Sequence, residues 1–266
     1  KLKMTMTSTR EILEDLASGK LSVDEAEKAL RILSLSKVGN IGMLDVNRGE
    51  RSGVPEVVYA ESKSLEYLVN IAEVMVEKKQ FVMLTRMTQD KLTGLKSAHP
   101  ELKFDAFGPD NHLTVLGYTE EWKEPQKKGK IAVVTAGTSD IPYAHEAEMI
   151  ARLIGVEVLS FFDVGVAGIH RLIEPIKTII NEDVDAIVVF AGMEGALPTV
   201  VASLVDIPVI GVPVPTGYGF GGKGETALAS MLQSCAPGLA VVNIGNGLGG
   251  GSVASLIAKK YAEKRK

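Results

Sequence analysis

Cysteine is nearly absent from this sequence. Cys235 is the only one in 266 residues, so no disulfide can form within the chain. Neither charge dominates, because 29 Lys and Arg stand against 33 Asp and Glu, a net charge of −4 that gives no basic field for nucleic acid. No apolar run reaches the roughly 18 residues that span a bilayer, and the first residues lack an apolar signal core. We therefore expect a cytoplasmic protein that binds neither nucleic acid nor membrane.

What is present is enough for a packed core, since 45% of the residues are hydrophobic. Residues 4–43 predict a helical hairpin. Ser8–Glu11 and Ser22–Glu25 both have the spacing of a capping box, in which a hydroxyl and a carboxylate satisfy free backbone N–H groups. An apolar stripe follows each box, and we expect the hairpin to pack against the rest of the chain or against another subunit.

Residues 44–124 predict a small α/β domain, with a linker between Thr119 and Lys130. Its first segment is polar and rich in turn-forming residues, and it places Asp45, Arg48 and Arg51 at every third position. If this segment is helical, the three side chains share one side. They are then either an anion clamp or an ordinary ion-pair cluster.

Residues 128–266 alternate short apolar runs with helical stretches, which is typical of a parallel sheet covered on both faces. We predict a doubly wound α/β domain whose strands are Ile131–Thr135, Val156–Phe161, Ala186–Phe190, Val209–Val212 and Leu239–Val242. Ligands of such sheets bind beyond the carboxyl ends of the strands. Glycine-rich loops follow all the predicted strands, and we expect them to converge on one small-molecule crevice.

Cys235 precedes the last predicted strand, beside the glycine-rich stretch Asn243–Gly251. A lone thiol there is either a nucleophile or a small buried hydrophobic residue. His99, His112 and His145 show no paired ligand spacing, so we expect no protein-bound transition metal.

Several strand-end loops resemble those of the class I aminoimidazole ribonucleotide carboxylases and mutases of purine synthesis. The matching segments are Gly137–Asp140, His170-Arg171, Ala191–Pro198, Gly211–Val214 and Val242–Gly245. The resemblance implies a flavodoxin-like fold. However, Ala196 stands where those enzymes have a histidine, and they lack the acidic residue found here as Glu194, which argues against the purine reaction itself.

From Asp45 onward, about four-fifths of the chain resembles the LarB family of nickel-pincer cofactor biosynthesis. The matching segments are Asp45–Val58, Thr85-Arg86, Thr135–Asp140, Asp163–Arg171, Ala191–Pro198, Gly217–Gly219, Ser234–Ala236 and Asn243–Gly250. Glu61 departs from the pattern, because a glycine is expected before Lys63. The resemblance implies carboxylation of the pyridinium ring of nicotinic acid adenine dinucleotide at C5 and hydrolysis of its phosphoanhydride. The products are pyridinium-3,5-biscarboxylic acid mononucleotide and AMP.

The resemblance also assigns catalytic roles. Cys235 stands where the family has its nucleophile, and a thiolate added at C4 would make C5 of the ring reactive toward carbon dioxide. A base must then remove the C5 proton, for which Glu194 is the leading candidate and Asp140 the second.

The same resemblance gives a set of substrate-binding residues. They are Gly137, Thr138, Ser139, His170, Gly192, Met193, Gly195, Tyr218, Lys223 and Asn243, with Asp45, Arg48, Arg51 and Arg86 of the amino-terminal part. Asp45, Arg48 and Arg51 are assigned to the adenylate or pyrophosphate. Carbon dioxide or bicarbonate is the co-substrate, and no tightly bound cofactor is expected. Magnesium held by the substrate phosphates is compatible with the reaction.

The resemblance also implies a homo-oligomer, and relatives with this sheet domain form octamers. Two other functions stay open. One is a carboxylaminoimidazole ribonucleotide mutase, and the other is a binding protein that has lost its chemistry.

Overall fold

The computed structural model describes residues 9–33, 36–38 and 42–265. Two amphipathic helices come first, α1 (Thr9–Ala17) and α2 (Val23–Leu33), and they bury Ile12, Leu21 and Ala26 between them. Ser22 and Glu25 form the expected capping box, because the N–H of each is bonded to the side chain of the other. The hairpin is confirmed over these ranges. Ser8, in the first predicted box, lies outside the described residues.

An amino-terminal α/β unit follows. A ribbon of β1 (Ser36–Val38) and β2 (Gly42–Leu44) leads to a four-stranded sheet in the order β3-β4-β6-β5. Its strands are β3 (Val58–Tyr59), β4 (Phe81–Met87), β5 (Lys103–Phe107) and β6 (Leu113–Tyr118). The helices are α3 (Arg48–Ser52), α4 (Leu65–Lys79) and α5 (Gln89–Ala98). Sequence patterning missed β5, because its burial is only partial and leaves no continuous apolar run.

The carboxyl-terminal sheet has five parallel strands in the order β11-β10-β9-β7-β8. They are β7 (Lys130–Thr135), β8 (Glu157–Phe161), β9 (Ala186–Ala191), β10 (Val209–Pro213) and β11 (Leu239–Val241). Strands β7, β9 and β10 are wholly apolar in their centres because helices cover both faces. The doubly wound, flavodoxin-like prediction is confirmed.

Five helices cover this sheet. They are α6 (Ile141–Ile154), α7 (Ile173–Asn181), α8 (Leu197–Ala202), α9 (Glu225–Leu232) and α10 (Gly247–Lys264). Helices α6 and α10 pack on one face, and α7, α8 and α9 on the other. Met83 of β4 and Leu116 of β6 belong to the first of these cores, so the two units share buried side chains. Trp122, in the predicted linker, contacts Phe81 and Tyr118.

The glycines at the start of α10 serve close packing. A Cβ at Gly251 would lie 2.5 Å from the Cα of Ala147 in α6, and one at Gly250 would lie 2.7 Å from a methyl group of Val212. Asn246 caps the helix by accepting the N–H of Gly249 at 2.8 Å. This part of the Asn243–Gly251 stretch therefore lets α10 approach the sheet and α6. None of the described helices is long and apolar enough to cross a membrane.

Candidate active site

A cleft of about 430 Å³ opens where β7 and β9 end side by side. This is the point at which the strand order reverses, where doubly wound sheets bind their ligands. Loops after four strands line it, and they contribute Ala136, Gly137, Ser139, Asp140, Gly165, Val166, Ala167, Arg171, Ala191, Gly192, Met193, Glu194, Ala196, Leu197, Thr216, Gly217 and Tyr218. Convergence of the loops is thus confirmed for β7, β8, β9 and β10. The loop after β11 does not contribute to the lining.

Asp140 is the buried ionisable group of this cleft, with 3% of its surface exposed. The hydroxyl of Thr216 donates to its Oδ1 at 2.7 Å, and the N–H of Gly137 donates to Oδ2 at 2.9 Å. Burial raises the pKa of the Asp140 carboxyl, although both hydrogen bonds oppose that rise. A carboxyl of this kind is well suited to accept a proton from a bound substrate.

Glu194 lies on the tight turn after β9 and is exposed. Met193 before it has a φ of 46° and Gly195 after it a φ of 64°, so the turn holds two successive left-handed positions around the carboxylate. The N–H of Met193 donates to the carbonyl oxygen of Thr216 at 3.1 Å. Thr216 is also the residue whose hydroxyl is bonded to Asp140, so it connects the turn of Glu194 to Asp140. Both predicted bases therefore line one cleft, in contrasting environments.

Thr216 and Arg171 were not among the predicted site residues. Arg171 lines the cleft and donates to Oδ2 of Asp163 at 2.6 Å, which holds a cation beside the glycine-rich turns. The neighbouring His170, predicted to bind substrate, is not part of the lining. Both missed residues lie in loops after the carboxyl ends of strands. The rule that ligands bind beyond these ends therefore also pointed to them.

Cys235 is exposed and is not part of the cleft. It lies between the end of α9 and the start of β11, and β11 begins opposite Val209, the first residue of β10. This is the amino-terminal end of the parallel sheet, whereas the cleft lies at the carboxyl end. The next residue back, Ser234, accepts a hydrogen bond from Thr199 of α8 at 2.8 Å. The lining of the cleft within one chain therefore lacks the predicted nucleophile.

Four more predicted binding residues lie outside the lining, namely Thr138, Gly195, Lys223 and Asn243. Thr138 borders a neighbouring hollow. The side-chain oxygen of Asn243 accepts the N–H of Ile244 at 2.9 Å, so it stabilises its own turn.

Arg86 connects the amino-terminal unit to the carboxyl-terminal domain. Its Nη2 donates to the carbonyl oxygen of Gly245 at 2.5 Å, and its Nε donates to Oε1 of Glu146 at 3.1 Å. The side chain of Glu146 is 1% exposed. The guanidinium also lies over the rings of Tyr59 and Tyr143. These contacts engage Arg86 within the protein, so the structure does not place it as a free substrate ligand.

Asp45, Arg48 and Arg51 lie outside the cleft as well. Arg51 pairs with Asp45, and Arg48 pairs with Glu56 at 3.4 Å. Of the two interpretations left open by their spacing, this arrangement is the ordinary ion-pair cluster. Across the residues that the structure describes, no three His, Cys, Asp or Glu side chains come together as a metal site.

Two family models match the chain. Residues 36–108 match a LarB/PurE-like N-terminal domain, and residues 130–265 match an AIR carboxylase. An uncharacterized protein of Methanocaldococcus jannaschii is 43% identical over 250 residues, which are 94% of this chain and 96% of that protein.

Relatives that match about half of the chain carry a functional name. An N5-carboxyaminoimidazole ribonucleotide mutase of M. jannaschii is 37% identical over 116 residues, 43% of this chain and 68% of that protein. One of Thermotoga maritima is 30% identical over 142 residues, 50% of this chain and 78% of that protein.

Proposed function

Because this chain belongs to the LarB family, with a PurE-like carboxyl-terminal domain, we propose that it carboxylates C5 of the pyridinium ring of nicotinic acid adenine dinucleotide and hydrolyses the phosphoanhydride. Membership supports an enzyme of the carboxylase and mutase type, and the substrate is our proposal. The observation that carries it is the LarB-type amino-terminal domain, which shares a buried core with the domain that holds the cleft.

The proposed chemistry begins at the thiol. The thiolate of Cys235 adds to C4, and the ring electrons move to the nitrogen to give a dihydropyridine. C5 is then an enamine carbon, and it attacks carbon dioxide to form the new C–C bond. A base removes the C5 proton, and loss of the thiolate from C4 restores the aromatic pyridinium. Once the ring is carboxylated, water cleaves the phosphoanhydride and releases AMP, and magnesium on the substrate phosphates can assist.

For the base we now favour Asp140 over Glu194. A catalytic base works best when its pKa approaches the working pH, and burial moves the pKa of Asp140 in that direction. The exposed Glu194 lacks such burial and is better suited to bind a cation or water at the mouth of the cleft.

Cys235 has to reach a cleft whose lining in its own chain does not include it. We propose that it acts in the cleft of a neighbouring copy. Homo-oligomers commonly build sites from two subunits, and the exposed thiol on a surface segment is free to enter such an interface. The expected homo-oligomer would then be a catalytic requirement.

The test is to incubate the purified protein with nicotinic acid adenine dinucleotide, bicarbonate and magnesium and to identify the products by mass spectrometry. We expect AMP and the dicarboxylated mononucleotide from the native protein and neither from Cys235→Ser. Intact-protein mass spectrometry should also detect a substrate adduct on native protein alone.

A purine-type mutase is the second candidate, because residues 130–265 match an AIR carboxylase and relatives over about half of the chain carry that name. Ala196 counts against it, since the purine enzymes have a histidine there. Conversion of carboxyaminoimidazole ribonucleotide by both native protein and Cys235→Ser, with the dinucleotide returned unchanged, would establish the mutase instead. Binding of the dinucleotide without turnover would identify a binding protein.

A further inference from the structure

We propose that the adenylate half of the dinucleotide binds in a second hollow beside the cleft. The inference rests on the proposed function for the identity of the ligand. The hollow measures about 600 Å³, and it is lined by Gly108, Pro109, Thr138, Ser139, Ile141, Pro142 and His145. Nothing in the pattern of the sequence pointed to this place, because the adenylate was assigned to Asp45, Arg48 and Arg51.

The hollow adjoins the cleft at a single residue. Ser139 lines both, and its side chain is exposed on the short 3₁₀ turn Thr138–Asp140 that separates them. A dinucleotide whose pyridinium ring lies in the cleft must carry its pyrophosphate past this turn. The exposed hydroxyls of Thr138 and Ser139 are placed to donate hydrogen bonds to phosphate oxygens there. The second nucleoside then enters the hollow.

An aromatic surface borders the hollow. His145 lines the hollow, and its ring contacts two phenylalanines just outside the lining. The centroids are 5.7 Å apart for Phe107 and 6.2 Å apart for Phe162. These phenylalanines are 46% and 37% exposed. Exposed aromatic side chains of this kind are suited to stack on a purine, and such stacking contributes about 1–3 kcal/mol per base.

The imidazole in this group is held in place. Nδ1 of His145 is 2.7 Å from Oε2 of Glu148, and the other oxygen of Glu148 accepts the hydroxyl of Ser160 in β8. Because the ring is held by this hydrogen bond, the phenylalanines that contact it are packed against a fixed partner, which lowers the entropic cost of binding a ligand beside them.

The opposite wall comes from the amino-terminal unit. Gly108 and Pro109 form the turn after β5, and Gly108 has a φ of 113°. A Cβ there would also collide with the carbonyl oxygen of His112, so only glycine allows this conformation of the turn. This placement gives the amino-terminal unit a direct part in binding. The alternative cations, Arg48 and Arg51, are paired with carboxylates.

The test uses AMP as the probe and Phe107→Ala and Phe162→Ala as variants. We expect AMP to bind the native protein in isothermal titration calorimetry and each variant to weaken that binding about tenfold. KM for the dinucleotide should rise by a similar factor with kcat unchanged. Binding of nicotinic acid mononucleotide, which lacks the adenylate, should not change. Tyr67→Ala is the matched control, because Tyr67 is 40% exposed on α4 and, unlike Phe107 and Phe162, has no ring contact with His145.

The outcomes separate the two proposals. If the variants weaken AMP binding but the protein never turns over the dinucleotide, the hollow is an adenylate site and the proposed function is wrong. If the dinucleotide is turned over while both variants keep native KM and AMP affinity, the proposed function stands and the hollow is not the subsite. Failure of native protein to bind AMP at millimolar concentration overturns the inference. So does a loss of oligomeric mass in the variants with unchanged AMP affinity, because the phenylalanines would then form an interface between copies.

Discussion

The two ends of the parallel sheet differ in what they offer to chemistry. At the carboxyl end, Asp140 is buried with a raised pKa, and Met193 of the same cleft has a left-handed backbone conformation. At the amino end, Cys235 lies exposed on a connection between a helix and a strand. Strained and desolvated groups concentrate where a ligand is bound. One subunit therefore has a cleft at one end of the sheet and the free thiol that we propose as the nucleophile at the other.

The largest expected effect comes from mixing subunits with different substitutions, which tests whether Cys235 acts in the cleft of a neighbouring copy. Cys235→Ser and Asp140→Asn should each lower turnover, the first by more than about 10⁴-fold as for loss of a covalent nucleophile. The two variants are co-expressed with different tags, and oligomers that carry both tags are isolated. If the thiol acts in a neighbour's cleft, these oligomers will recover about a quarter of native activity, because one cleft in four combines an intact Asp140 with an intact Cys235 from the neighbouring copy.

The controls are oligomers in which every copy carries the same substitution, and these must stay inactive. A doubly tagged mixture that also stays inactive would show that Cys235 works in the cleft of its own chain, by a movement of the segment before β11. Either result identifies the chain to which the nucleophile belongs.

Asp140→Asn alone should lower kcat about 10²- to 10⁴-fold, which is the usual contribution of a general base. Burial raises the pKa of this carboxyl, so native activity should fall with acid at a pH above the usual range for aspartate. Glu194→Gln should have the smaller effect. The pH profile of kcat checks the assignment, and a larger loss in Glu194→Gln would restore Glu194 as the base.

The free energy of unfolding should depend on pH in the direction that the raised pKa of Asp140 predicts. Because the folded-state pKa of Asp140 is raised, its contribution to stability is fully present below its unfolded pKa and is lost as pH rises through the folded value. Asp140→Asn should therefore cost least stability near neutral pH and more in acid. Urea unfolding of the native protein and of Asp140→Asn, near neutral pH and in acid, measures this difference.

Arg86→Ala should destabilise the protein by about 3 kcal/mol, because it leaves the buried carboxylate of Glu146 without its cation. It also removes the bond to Gly245 that joins the amino-terminal unit to the turn before α10. Urea unfolding measures the loss. Arg86→Lys keeps the charge and should recover part of the stability. A loss of substrate affinity at unchanged stability would instead make Arg86 a substrate ligand.

Much of the fold was predictable because its signals are local. The apolar run Ala186–Phe190 needs both faces covered, and the residues after it had to lie at the carboxyl edge with Asp140. The glycines of Asn243–Gly251 were not interpretable in the same way, since the composition of a phosphate loop is also that of a helix start packed tightly on a neighbour. The position of Cys235 could have been predicted from the sequence, because a connection from helix to strand lies at the amino-terminal end of a doubly wound sheet.

The smallest expected effect concerns the charged cluster of the amino-terminal unit. Arg51→Ala breaks a pair with Asp45 in which the arginine side chain is 59% exposed, and such pairs contribute about 0–1 kcal/mol because water screens them. We expect unchanged KM for the dinucleotide and unfolding within about 1 kcal/mol of native. A tenfold rise in KM with native stability would place the pyrophosphate or adenylate on this cluster instead of beside His145. The interaction with the substrate would then exceed the pairing seen here, and the cluster would belong to the site despite lying outside the cleft.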